Sequence, residues 1–175
     1  DTDVTYEVEC QVADDFTTDT MMKQFTDTRT TVAPVYRFVV ANSGYASRSL
    51  DNGVTWTAMV RGLHSGSTSA SLNAISNNTT TLVCVATGGW ASRSTDNGET
   101  WAPLVKGLNS GSATADIISV SANGDTWVAV TSAGWASRST DNGVTWVPLV
   151  QGLNSGLATA LFRSVTSNGD TWIAV

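Results

Sequence analysis

The segment Ser94-Thr95-Asp96-Asn97-Gly98-Glu99-Thr100-Trp101 returns as Ser139-Thr140-Asp141-Asn142-Gly143-Val144-Thr145-Trp146, and precedes itself as Ser49-Leu50-Asp51-Asn52-Gly53-Val54-Thr55-Trp56. The three copies share the frame Ser-x-Asp-x-Gly-x-Thr-Trp at a fixed step of 45 residues. The same step relates Gly44, Gly89 and Gly134, then Gly62, Gly107 and Gly152, and it carries Val40, Val85 and Val130 on to Val175. Residues 90–130 and 135–175 are identical at 31 of 41 positions, so these two units share one backbone. A constant period of this length marks an architecture in which each unit buries its apolar face against its neighbours.

Within a unit, short runs of β-forming residues alternate with turn residues. In the third unit Ile117 to Ser121 reads as a first strand, Asn123-Gly124-Asp125 as a turn and Thr126 to Thr131 as a second strand. Ala133-Gly134 turns the chain, Trp135 to Ser139 makes a third strand, and Thr145 to Val150 a fourth. Between the last two, Asp141-Asn142-Gly143 is a hairpin turn, because Asn and Gly tolerate positive φ. Helical periodicity is absent from the repeats. Four antiparallel strands per unit of about 45 residues predict an all-β chain of β-propeller blades.

The chain has 175 residues, room for one compact domain with an appended arm. Nine Lys and Arg stand against 15 Asp and Glu, and only 14% of residues are charged, so the basic footprint of a nucleic-acid binder is missing. Eight of the acids and three of the bases lie in the first 40 residues, which leaves the repeats nearly neutral. Hydrophobic residues reach 41%, yet no apolar run approaches the ~20 residues that span a bilayer as a helix. A soluble chain without membrane insertion is expected. Because the chain begins at Asp1 and not Met, the numbering is expected to start inside a longer or processed product.

Cys10 and Cys84 are far apart, with no Cys-x-x-Cys spacing and no His nearby, so neither a zinc site nor a disulfide framework is indicated. Two buried free thiols are the expectation, and a single bridge is the alternative. No metal and no cofactor are anticipated. Residues 1–35 form an acidic arm, in which Val4, Tyr6, Val8, Cys10 and Val12 alternate with polar residues as a strand at about 4–12. An irregular Thr- and Asp-rich stretch follows to about residue 32, and the blades occupy 36–175.

The Ser-x-Asp-x-Gly-x-Thr-Trp turns at Ser49, Asp51, Gly53, Thr55 and Trp56, at Ser94, Asp96, Gly98, Thr100 and Trp101, and at Ser139, Asp141, Gly143, Thr145 and Trp146 resemble the Asp-box, or BNR repeat, of sialidase-like propellers. The resemblance covers residues ~36–175. In that family the box joins the third and fourth strands on the side away from the active site, which implies that these aspartates are structural. Turn chemistry gives the same answer: the carboxylate accepts backbone N–H groups across its turn, Gly takes a conformation closed to other residues, and Trp packs under the hairpin. A calcium loop is excluded by the missing alternation of Asp and Asn and the missing terminal Glu.

Sialidases of the family need three arginines gripping a carboxylate, a Tyr nucleophile with a Glu partner, and an Asp acid/base. The only glutamates here are Glu7, Glu9 and Glu99, and Glu99 reads as an exposed strand residue. Phe162-Arg163 matches the start of the family's Phe-Arg-Ile-Pro motif, but Ser164 and Val165 follow. Arg48, Arg93 and Arg138 recur at one blade position beside the turn, which suits pairing between blades or with Asp better than a converging clamp. Other glycosidases need two carboxyl groups across one cleft. Asp125 and Asp170 occupy equivalent turns, Asp116 becomes Leu161 in the next unit, and His64 has Asn109 and Asn154 as its counterparts. No catalytic set assembles.

For a propeller, ligands are expected on the face formed by the loops of Gly107 to Gly111 and Gly152 to Gly156 and by the turns before Tyr45, Trp90 and Trp135. The candidate ligand-face residues are Tyr45, Trp90, Trp135, Asn109 and Asn154: the rings offer planes for sugar stacking and the amides supply hydrogen bonds, with packing between blades as the competing role of the rings. Asn77 and Asn78 each begin an Asn-x-Thr sequon. Val175 ends a second strand, so the last blade is expected to need completion by the arm, by another chain or by further residues.

The expected function is a non-catalytic interaction or assembly module of a virion fibre or an extracellular surface protein, with other protein chains and surface glycans as partners. Two alternatives stand beside it: a fragment of a sialidase-like glycoside hydrolase, and an assembly-factor propeller like those that help build photosystem II, which also carry Asp-boxes.

Overall fold

A computed structural model describes residues 6–10, 23–27, 36–64, 67–154, 161–169 and 171–175. The chain divides into two units, Asp1–Pro34 and Val35–Val175. In the first, β1 (Tyr6–Cys10) pairs antiparallel with β2 (Lys23–Asp27), Tyr6 opposite Asp27 and Cys10 opposite Lys23. Of the expected strand at 4–12, Tyr6–Cys10 is described and is a strand, and its remaining residues, Val4 and Val12 among them, lie outside the described residues. A second strand lies within the stretch read as irregular. Its sequence, Lys-Gln-Phe-Thr-Asp, carries a single strongly apolar residue, and this is why periodicity did not mark it.

The second unit is a series of antiparallel sheets. The first blade holds β3 (Arg37–Val40), β4 (Ala46–Ser49) and β5 (Thr57–Ala58). The second holds β6 (Leu72–Asn77), β7 (Leu82–Ala86), β8 (Ala91–Ser94) and β9 (Ala102–Pro103). The third holds β10 (Ile117–Asn123), β11 (Thr126–Thr131), β12 (Ala136–Ser139) and β13 (Val147–Pro148), and β14 (Val165–Ser167) pairs with β15 (Trp172–Ala174) beyond it. Strand order follows chain order in every sheet, the meander of a propeller blade.

The core lies between blades. In β7, Leu82, Cys84 and Ala86 face the first blade, where they meet Ala46 and Leu63, while Val83 and Val85 face the third and meet Ile117 and Trp127. A strand buried on both faces must be apolar throughout, which is why Leu-Val-Cys-Val-Ala shows no alternation. In β11 the same division sends Trp127 and Ala129 back to the second blade, and Val128 and Val130 forward to Phe162 and Val165. Burial pushes the Cys84 thiol up to about 12, so this free cysteine is inert packing.

Two details depart from the sequence reading. The fourth strand is two residues in every blade, and not the run from Thr145 to Val150. Thr145 gives its N–H to the Asp141 carboxylate and Trp146 turns into the core, so ladder pairing begins only at Val147. The connection after it is a tight 3₁₀ turn at Arg61–His64, Lys106–Asn109 and Gln151–Asn154. In these turns Leu63, Leu108 and Leu153 adopt φ of 43°, 47° and 46°. A left-handed leucine is strained and persists only where its surroundings fix it. Leu63 and Leu108 are fully buried plugs between blades, and a Cβ on the preceding Gly107 would stand 2.3 Å from the Ser112 carbonyl oxygen.

Candidate functional site

Each box is a closed hydrogen-bonded unit. In the second, Asp96 Oδ1 accepts from Ser94 Oγ at 2.8 Å and from the Thr100 N–H at 2.9 Å, and Oδ2 accepts the Thr100 hydroxyl at 2.5 Å. Ser94 Oγ in turn accepts the Gly98 N–H at 2.9 Å. Ser49, Asp51, Gly53 and Thr55 repeat the pattern, as do Ser139, Asp141, Gly143 and Thr145. The bonds from the Thr55 and Thr145 side chains, then from their N–H groups, hold Asp51 and Asp141 at about 2. At Asp96 desolvation is the largest single influence and opposes this, but the combined bonds from Thr100 and Ser94 outweigh it and the pKa is lowered. A carboxylate engaged in its own hairpin and held ionised is no proton donor at neutral pH.

Trp101 and Trp146 are buried, and each donates its indole N–H to the box glycine, Gly98 or Gly143, at 3.2 and 3.1 Å. Trp56 makes the same bond to Gly53 at 3.1 Å but is 44% exposed. This corrects the equivalence of the three tryptophans. The indole packs backward onto the preceding blade, and no described blade precedes the first.

The box asparagine is the residue that sequence reasoning passed over. Asn142 O accepts Arg93 Nε at 2.8 Å, its Oδ1 accepts from Asn78 Nδ2 at 2.8 Å and Trp127 Nε1 at 3.3 Å, and its Nδ2 donates to Thr80 Oγ1 at 3.2 Å. One turn residue thus ties the third blade to the second. Asn97 O likewise accepts Arg48 Nη1 at 3.0 Å, while Arg48 Nη2 meets Glu99 at 2.6 Å. Glu99 sits in the turn and not in a strand. The available signal was the pairing at one step of Arg48, Arg93 and Arg138 with the box asparagines. Asn78, the start of one sequon, has its amide committed to Asn142 and to the Gly124 carbonyl.

At one rim the aromatic series is partly roofed by cations. The Arg61 guanidinium lies 4.7 Å from the Tyr45 ring centre, and Lys106 Nζ lies 4.6 Å from that of Trp90. Trp135 packs on Gly111, where a Cβ would come within 2.5 Å of the indole. Asn109 Nδ2 donates to the Trp146 carbonyl at 3.1 Å, joining two blades. Beside these residues Lys106, Asn109, Gly111, Ser112 and Pro148 line a depression of about 420 Å³. Asn154 lies in the third rim turn. The side chains of Asn154 and His64, and all of Asp170, lie outside the described residues.

Among the described residues, the remaining acids of the blades form no cluster. Asp116 Oδ1 accepts the Gly88 N–H at 2.7 Å, while Asp125 is exposed in its turn. Among the described residues no group of three or more His, Cys, Asp or Glu is placed to hold a metal ion.

The BNR/Asp-box repeat family matches residues 92–103, the second box with its flanking strands. No curated protein matches the chain in sequence. Two similar solved structures are YCF48 bound to a D1 peptide, at 21% identity and a TM-score of 0.60, and YCF48 from Cyanidioschyzon merolae, at 22% and 0.58. Each alignment covers 79% of this chain, which spans 44% of the first and 45% of the second.

Proposed function

Because the chain carries BNR/Asp-box repeats on β-propeller blades, we propose that it is a non-catalytic interaction and assembly module that docks another polypeptide along its aromatic rim, in a virion fibre or an extracellular surface protein. The observation that carries this reading is the rim itself. Tyr45 with Arg61 and Trp90 with Lys106 recur at the repeat step, and the valines beside the cations, Val60, Val105 and Val150, are all exposed. Apolar side chains, planar rings and fixed cations in one row suit an extended peptide bearing carboxylates. The near-identical copies and the weakly charged Ser, Thr, Asn and Gly surface agree with a repeated surface protein. The YCF48 structure with a bound D1 peptide supports the choice of a polypeptide partner. Glycan recognition is the second reading, favoured by Tyr45, a residue 59% exposed.

The test screens the immobilised protein against a phage-displayed peptide library and a glycan array. Enriched peptides whose affinity falls at least about 10-fold with Trp90→Ala or Lys106→Glu are expected. Glycan binding with no enriched peptide, or peptides indifferent to both substitutions, overturns the polypeptide reading.

A further inference from the structure

Asparagine stands directly before glycine at Asn52-Gly53, Asn97-Gly98, Asn123-Gly124, Asn142-Gly143 and Asn168-Gly169. Such a pair is chemically labile, because glycine has no side chain to keep its backbone nitrogen away from the preceding amide carbon. Three of the pairs form the box turns, and there the glycine nitrogen is held. Gly53, Gly98 and Gly143 donate their N–H groups to the hydroxyl oxygens of Ser49, Ser94 and Ser139 at 2.7, 2.9 and 2.9 Å. Gly98 and Gly143 are also buried.

Asn123-Gly124 occupies the turn between β10 and β11, and its glycine nitrogen is not held. The Gly124 N–H has no acceptor among the described residues, the residue is exposed, and a Cβ built on it would meet nothing within 4 Å. The turn is nonetheless a joint. Asn123 Nδ2 donates to the Gly169 carbonyl, Gly124 O accepts Asn78 Nδ2 of the second blade at 2.8 Å, and Asp125 O accepts the Asn142 N–H at 2.9 Å. The last pair, Asn168-Gly169, borders Asp170, which lies outside the described residues.

We propose that Asn123 is a site of spontaneous deamidation, and that the box serines withhold the same reaction from Asn52, Asn97 and Asn142. The Gly124 nitrogen gives its proton to solvent and attacks Asn123 Cγ, the Cγ–Nδ2 bond breaks, and ammonia leaves. Water then opens the resulting succinimide ring. Cleavage at Cγ yields aspartate, and cleavage at the backbone carbonyl yields isoaspartate, whose main chain runs through Cβ. Both products lose the amide that donates to Gly169, and isoaspartate lengthens the turn that carries the acceptors of Asn78 and Asn142. In a box the reaction is opposed at its first step, since the glycine nitrogen must give up its bond to serine before it can attack. The site is remote from the chemistry of the aromatic rim and does not depend on the rim's function.

Trypsin leaves each of these pairs on its own peptide, because Arg61, Arg93, Lys106, Arg138 and Arg163 separate them. The native protein is incubated at mildly alkaline pH and its tryptic peptides are followed by mass spectrometry, with isoaspartate identified by its resistance to cleavage by an aspartate-specific protease. Asn123 is expected to react at least about 10-fold faster than the three box asparagines, a factor that one hydrogen bond to the attacking nitrogen supplies. In concentrated guanidinium the four rates should converge. Ser94→Ala should raise the rate at Asn97 toward that at Asn123, whereas Ser94→Thr, which keeps the hydroxyl, should not. Circular dichroism establishes that both variants are folded, and the comparison within the parent decides on its own if Ser94→Ala does not fold. Equal rates at Asn123 and the box asparagines in the native protein overturn the proposal. So does a preference for Asn123 that persists unchanged in guanidinium, or a folded Ser94→Ala variant whose Asn97 reacts no faster than the parent's.

Discussion

At the scale of single residues, the box aspartates act as acceptors for their own turn, and this makes stability depend on pH in a direction that can be worked out. Asp51 and Asp141 sit at about 2 against an ordinary 3.8. In the interval between these values the unfolded chain binds more protons than the folded one, so stability is fully present above about pH 4 and is lost as pH falls through about 2. The melting temperature is therefore expected to fall steeply over this interval. Asp141→Asn should melt lower than the parent at pH 7, and the gap should narrow on acidification. Parallel melting curves for parent and variant from pH 7 to 2 would show that the carboxylate bonds contribute nothing. The left-handed leucines show the opposite economy: Leu108 tolerates a strained backbone because its side chain is fully buried between two blades.

At the scale of elements, the hairpin and not the blade is the unit of cohesion. Its turn is closed by its own serine and aspartate, and its tryptophan and asparagine reach back to the blade before it. Position in the series therefore matters more than sequence identity. Trp146→Ala, at a buried site, should cost ~3–5 kcal/mol, whereas Trp56→Ala should cost no more than about 1 kcal/mol. Chemical denaturation of the two variants side by side measures this. Equal losses would show that the indole works within its own hairpin and not across the blade interface.

At the scale of the whole molecule, the described polar groups that could do chemistry mostly hold blades together or stand apart. Arg48 and Arg93 clamp neighbouring turns, Asp116 holds a backbone N–H of the second blade, and Glu99 faces Arg48. Catalysis of glycoside transfer needs a carboxyl pair across one cleft. The protein is accordingly expected to release no fluorophore from aryl sialosides or common aryl glycosides. Turnover abolished by Glu99→Gln or Arg163→Ala would restore the hydrolase alternative.

The sequence by itself determined the repeat step, the β-propeller class, the box turns and the apolar central strands, because each follows from local chemistry. The Asn-Gly pair takes positive φ in all three box turns, and a strand covered on both faces must be apolar along its length. The short fourth strand was not legible, since Thr145 and Trp146 are good strand residues whose backbone and side chain are diverted by an aspartate and a neighbouring blade. Only the tertiary structure decided which equivalent residues do equivalent work. Trp56, Trp101 and Trp146 carry one sequence signal, yet burial is a property of what lies opposite. The same holds for Arg138 beside Arg48 and Arg93: its chemistry is written in the repeat, and its lack of a partner among the described residues follows from where in the series its blade stands.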